Sequence, residues 1–252
     1  MDRITPVSKS RHRHVKVRRD KVDAINAEAR MIPIVVSEFM KAATQYPILL
    51  TKNARTGKFL CVAMCGFDNG ENLFWREGRW DAIYVPLNVV RQPFFLGARD
   101  DAGDGGGNEF TLCIDNESPC LDKTEGEPLF DDDGNETPYL REMQRRLQQL
   151  VIGERQTNIL IDKLLEADLL TEVALDIAFA NGEKSRVQGL YSIDEEKLDA
   201  LDNASFLALR ADGHLPLIYA MILSVPQIYA LIQRKNAVSA TAQQWFKPAS
   251  GQ

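Results

Sequence analysis

Histidine is scarce in this chain: three in 252 residues, and only His214 lies beyond the first fourteen positions. A nucleophile–base–acid set is therefore unsupported, because the usual base is missing where it would be needed. The four cysteines, Cys61, Cys65, Cys113 and Cys120, are too few for a disulfide framework in a chain this long. Cys61 and Cys65 lack a second Cys or His pair at finger spacing, so they read as buried free thiols rather than a zinc half-site. His12 and His14 likewise lack a third ligand nearby. The glycine-rich run DDAGDGGGN (100–108) has no following Lys-Ser/Thr and no helical pattern, which excludes a phosphate loop. The start, MDRITPVSKSRHRHVKVRRDK, has no apolar core of the kind a secretory signal carries, so the expected location is cytoplasmic. No metal and no cofactor are expected, and the balance leans away from an enzyme.

Charge is also missing from one long stretch. From Gly213 to Gln233 there is no Lys, Arg, Asp or Glu. A spanning helix needs about 20 mostly apolar residues. Here Pro216 opens the segment and Pro226 interrupts it, which predicts a broken core helix and no stable membrane insertion.

What is present is ordinary in bulk: 44% hydrophobic, 26% charged, net charge -6. That composition suits a soluble globular protein, and the negative balance argues against a nucleic-acid binder. The basic arm of residues 1–22 has no interleaved aromatics, so base stacking is unsupported. With Val15 and Val17 alternating with charges, it is expected to be a solvated extended strand. Acidic loops follow later. Asp131, Asp133 and Asn135 alternate like the first ligands of a calcium loop, with Glu142 at the closing distance. Glu136 occupies the place that needs glycine, and Pro138 stiffens the backbone. Asp115, Glu117, Asp131 and Asp133 form a candidate acidic site if the fold gathers them in one cleft.

Periodicity sets the fold class. Short apolar runs at Pro47–Thr51, Phe59–Phe67, NLFW, WDAIYV, VVRQPFFLG and FTLCIDNES, separated by turn residues, predict antiparallel strands. Before them, residues 23–44 suggest an extended segment into Pro33 and a short helix, with Glu38, Lys41 and Thr44 outward and Val35, Phe39 and Ala42 inward. Thr137 and Pro138 cap a long amphipathic helix over 139–167 that Gly153 is expected to bend or break. Val173, Leu175, Ile177 and Phe179 alternate ahead of Asn181-Gly182, predicting a hairpin over 172–191. Ser192 with Glu195 reads as the cap of the next helix, and His214 as a helix-end cap. The expectation is an α+β protein: a β-rich half over 1–135, a helical half with an inserted hairpin over 136–236, and a flexible, polar tail frayed after Arg234 over 237–252, sharing one core.

The densest stretch is 72–97, with Trp75, Trp80, Phe74, Phe94, Phe95 and Tyr84 threaded by Arg76, Arg79 and Arg91. Aromatics and arginines concentrate both in cores and at binding hot spots. As a contact surface, Trp75 and Trp80 are the candidate anchors, Arg79 and Arg91 the carboxylate partners, with Tyr84 beside them. As a core, the same rings fill the sheet.

Together the stretches GENLFWREGRWDAIYVPLNVVRQPFFL, LCIDNES, EGEPLFDDDGNETP and VQGLYSIDEEKLDALDNASFLALRADGHLPLIYAMILS, in order from about Pro6 to Ile232, resemble the SapC family of bacterial proteins. The chain is not similar to the transporter permease that shares this name. The resemblance supplies no catalytic residues. It implies an association with surface layers, and its members are often encoded near outer-membrane receptors and flavin-dependent halogenase-like proteins. The expected function is an accessory protein that recognises a peptide or protein partner. The alternatives are an enzyme using an acidic, metal-dependent cleft and a structural component of a surface layer.

Overall fold

The computed structural model describes residues 3–98 and 110–245, so the glycine-rich run 100–108 and the chain beyond Trp245 lie outside the described residues. In chain order the basic arm supplies β1 (Ile4–Pro6), α1 (Lys9–His12), β2 (Lys16–Val17) and α2 (Arg19–Val22). Next come β3 (Met31–Pro33), α3 (Phe39–Ala42), β4 (Ile48–Lys52) and β5 (Phe59–Met64). The aromatic stretch holds β6 (Trp75–Arg76), β7 (Arg79–Trp80), α4 (Leu87–Val90) and β8 (Phe94–Ala98). β9 (Phe110–Asp115), β10 (Leu121–Asp122) and β11 (Glu127–Pro128) precede α5 (Pro138–Glu166). After it come β12 (Leu170–Ala178), β13 (Lys184–Ile193), α6 (Glu195–Asp199), α7 (Asn203–Ala211), α8 (Leu215–Ser224) and α9 (Gln227–Trp245). The class is α+β, with antiparallel sheets early and helices late.

The main sheet has the order β12-β13-β4-β5-β3. Its hairpin, β12–β13, comes from the helical half and joins the early strands through Leu190↔Thr51 and Tyr191↔Leu50. One hydrophobic cluster consequently runs from Ile32 to Leu231, with Phe39, Tyr46, Phe67 and Phe74 at its centre. A second cluster packs Val17, Phe94, Ile114 and Leu129 under the first half of α5. There the small sheet β1-β9-β8 ties the N-terminus to the strands after the aromatic stretch.

Helix α5 is the spine that touches both clusters. Leu140, Met143 and Leu147 face the second, and Leu160, Ile161 and Leu164 face the first. Thr137 caps it, its hydroxyl accepting from the Leu140 N–H. Gly153 does not break it. A methyl group at 153 would lie 2.5 Å from Val35 Cγ2, so the absence of a side chain lets α5 close onto the chain beside β3. Alanine normally favours a helix over glycine by about 1 kcal/mol. Here Gly153→Ala is expected to destabilise instead, because overpacking a filled core costs about 1–3 kcal/mol. Guanidinium denaturation of the two proteins measures the sign.

Four local expectations differ from the structure. The strands NLFW and WDAIYV shrink to the two-residue ladder β6–β7, closed by Glu77 and Gly78 at φ 51° and 76°. That is the left-handed pair a tight hairpin turn requires. The cap before α6 is Asp194, which accepts from the Lys197 N–H, while Ser192 is still in β13. Beyond Arg234 the chain stays helical to Trp245. Glu38 does not point outward: it is buried, 1% exposed. The apolar segment does break where Pro226 predicts, between α8 and α9.

Candidate binding surface

The aromatic stretch is bolted into the core by a chain of hydrogen bonds that starts at Trp80. Its indole Nε1–H donates to the Tyr46 hydroxyl at 2.8 Å, and that hydroxyl donates to the Tyr84 carbonyl at 2.6 Å. The Tyr84 hydroxyl in turn donates to Glu38 Oε1 at 2.8 Å. Glu38 collects two more donors, the Leu87 N–H on Oε1 and the Val35 N–H on Oε2. Burial pushes the Glu38 carboxyl above its ordinary range despite these three donors. Burial likewise raises the Tyr46 and Tyr84 phenols. One carboxylate thus holds together the turn before α3, the middle of the aromatic stretch at Tyr84 and the start of α4.

The five candidate contact residues separate on this frame. Trp80 is 7% exposed and belongs to the core cluster, so it is not available as an anchor. A ring that faces Tyr46 and fills the sheet gives nothing to a partner. Tyr84 is half-buried and committed to Glu38. Arg91 is half-buried, donates to Asn88 Oδ1 and the Phe94 carbonyl, and stacks over Phe95 at 4.6 Å; burial lowers its pKa. It is a structural cation rather than a carboxylate partner. Trp75 remains half-buried opposite Trp80, and Arg79 is exposed. Three residues after Trp80, Ile83 is 96% exposed.

The acidic loops are occupied by the basic arm. Arg3 grips Asp115 at 2.8 Å and holds its carboxyl below the usual range, with Glu117 at 4.0 Å. Lys9 Nζ donates to the Asp133 carbonyl and Arg13 to that of Asp132. Arg18 pairs with Asp20 and Glu125, and Arg19 with Glu127. The arm is therefore a clasp folded on its own protein, with Val17 fully buried beneath it, rather than a free solvated strand. Asp131 closes its own turn by accepting from the Asn135 N–H at 2.7 Å, and Glu142 pairs with Arg145 and Arg146. Asp115 and Glu117 sit at Arg3, whereas Asp131 and Asp133 lie in a separate turn. Among the described residues no three His, Cys, Asp or Glu side chains gather as metal ligands.

The buried histidines also have structural settings. His12 Nδ1 accepts from the Ser8 N–H, leaving Nε2–H to donate to Asn116 Oδ1 at 3.2 Å. His214 starts α8 without a side-chain cap bond, and its buried Nδ1 has no partner among the described residues. Cys61 and Cys65 are buried and free; burial pushes the Cys61 thiol up to about 12 and raises Cys65 as well.

The features that sequence reasoning missed are Glu38 and the helical corner. Glu38 sits inside IPIVVSEF, and an acid in a nearly continuous apolar run was the available signal. The corner is formed by α8 and α9, where Leu223 and Tyr229 are 72% and 73% exposed. It is tied to the aromatic stretch: Arg234 of α9 pairs with Asp81 at 2.7 Å and stacks over Phe74 at 4.4 Å. Ile83 donates its N–H to Gln45, just after α3, and α3 packs on α8.

The SapC family model matches residues 7–231, nearly the whole chain. The chain belongs to the SapC family. No curated protein and no solved structure matches it. Within this SapC chain the geometry displays a filled core, internally paired charges and an apolar corner.

Proposed function

We propose that this SapC-family chain is a non-catalytic accessory protein that recognises a peptide or protein partner through the corner of α8 and α9. One observation carries the reading. An 18-residue window within Leu215–Val238 has a mean hydropathy of 1.8, yet only a third of that window is buried, and Leu223 and Tyr229 stand in solvent. Single exposed apolar residues are common and need no explanation. Several on elements that pack on or bond to one another, with Met40 on α3 against α8 and Ile83 held to Gln45, support an interaction surface here. The β6–β7 hairpin, which carries Trp75 and Arg79 and is followed by Asp81, the partner of Arg234 of α9, offers the aromatic and cationic contacts that hot spots favour.

The corner's inner face supports a protein partner over a membrane interior. Leu215, Ile218, Met221 and Leu231 are core residues, and buried Ser224 accepts the Ile48 N–H at 2.8 Å. Inserting the helices would strip that core. The tie to bacterial surface or outer-membrane uptake systems rests on the family resemblance.

The test is capture of partners from native-cell extract by the wild type, Leu223→Asp/Tyr229→Asp and Trp75→Ala/Arg79→Ala. Loss of two exposed apolar anchors is expected to weaken capture at least about tenfold. The folded helix content should stay unchanged. Undiminished capture by the Leu223→Asp/Tyr229→Asp protein would remove the corner from the contact.

A further inference from the structure

The main sheet is open along part of one edge, and a hollow of about 490 Å³ lies at that place. β3 pairs with β5 only from Met31↔Met64 to Pro33↔Val62. One more bond, the Ile34 N–H to the Cys61 carbonyl at 3.0 Å, ends the ladder. The Val35 N–H then turns to Glu38 and the Val36 N–H to Thr157 Oγ1, so this chain leaves the sheet. β5 extends further, to Leu60 and Phe59, which pair with Thr51 and Lys52 of β4 on the other side.

Successive residues of a strand aim their N–H and C=O groups to alternate sides. The Lys58 carbonyl accepts from Asn53 and the Met64 N–H donates to Pro47, both on the β4 side, while the Cys65 N–H reaches Arg30 on the β3 side. Odd-numbered residues of β5 therefore face β3. Phe59, beyond the Ile34–Cys61 pair, presents both its N–H and its C=O to the open edge. The hollow in front of them is walled by Ile34 and by Leu150, Glu154, Asn158 and Ile161 of α5, and exposed Lys58 stands at its end.

We propose that this groove binds an extended peptide segment that adds to β5 as an antiparallel strand in line with β3, with a carboxylate at its Lys58 end. Open backbone donors and acceptors are matched best by another backbone, which is how strand addition obtains its affinity. The pairing at Phe59 is the two-bond exchange of an antiparallel ladder. A chain running that way moves from Cys61 toward Lys58, so its C-terminal side meets the ammonium group. Alternate side chains of the segment fall on Leu150 and Ile161. The groove is separate from the α8–α9 corner, and the proposal stands without it.

The probe is a fluorescent acetylated pentapeptide, Thr-Val-Thr-Val-Glu, compared with its Lys-ended counterpart and with a backbone N-methylated form, by anisotropy against the full chain. The Glu-ended form is expected to bind about two- to fivefold better than the Lys-ended form, the range of an exposed ion pair. N-methylation is expected to cost about tenfold through the lost ladder bonds. Lys58→Glu should reverse the preference between the two ends. Asn158→Trp, at an exposed position on the α5 wall, should abolish binding with an unchanged thermal midpoint, and Leu223→Asp should leave it intact. Amide hydrogen exchange at Phe59 should slow when peptide is bound. The proposal is overturned if the Glu-ended peptide fails to bind at millimolar concentration. Equal binding of the N-methylated form, or unslowed exchange at Phe59, overturns it as well.

Discussion

Trp80→Ala is expected to lower the unfolding free energy by about 3–5 kcal/mol, the usual cost of deleting a buried tryptophan. Trp75→Ala, five residues earlier in a two-strand ladder with it, is expected to cost about 1 kcal/mol or less, as for a partly exposed site. The contrast follows from placement. The Trp80 ring lies in the main cluster, and its N–H is the donor that satisfies the buried Tyr46 hydroxyl. Removing it leaves a void and an oxygen short of a partner. Tyr46 also stacks on Phe74 at 4.4 Å, and Arg234 covers Phe74 from outside, so the damage spreads to the contact between β7 and α9. Guanidinium denaturation of both variants, with near-ultraviolet circular dichroism, separates the two tryptophans. Equal and small losses would mean that Trp80 is a surface ring after all. The outcome also governs how partner-capture data are interpreted: a variant lacking Trp80 loses function by unfolding, which is why Trp75, Arg79, Leu223 and Tyr229 are the informative positions.

What the sequence makes legible here is whatever local pattern decides. Thr137-Pro138 ahead of a helical repeat marks α5, and period-two alternation around Asn181-Gly182 marks β12–β13. Pro226 marks the gap after α8. The aromatic stretch is different. Trp75, Trp80, Tyr84 and Arg91 have the composition of a core and of a binding site alike, and only long-range bonds to Tyr46, Glu38 and Arg234 assign them. The basic arm and the acidic loops pose the same difficulty. Each reads as a free charged segment, because Arg3–Asp115 and Arg18–Glu125 join positions more than a hundred residues apart. Such exposed pairs contribute little individually, about 0–1 kcal/mol each. The clasp is held rather by β1 on β9, β2 between β10 and β11, and the burial of Val17 and Cys120. The charges select where the arm lies; apolar burial keeps it there.

Glu38→Ala is expected to cost about 3–5 kcal/mol, because it leaves the Val35 and Leu87 N–H groups and the Tyr84 hydroxyl without their common acceptor. Glu38→Gln keeps the shape but turns an amide NH2 toward donors, and is expected to cost about 1–3 kcal/mol. The pH dependence identifies the mechanism. The folded carboxyl titrates above its unfolded value, near 4.3. Its protonation therefore stabilises the fold fully below that pH, and the contribution is lost as pH rises through the folded pKa. Asp68, Asp81 and Asp115 are shifted the opposite way by Lys235, Arg234 and Arg3, so their contributions are present above the unfolded pKa and fade in acid. Those carboxylates are common to wild type and Glu38→Gln, and they cancel in the difference between the two stability curves. That difference is expected to be largest at acid pH and to shrink toward neutrality. Urea denaturation from pH 4 to 8 measures it. A difference flat across that range would place Glu38 in solvent, and one that grows with pH would make it a carboxylate stabilised in its charged form.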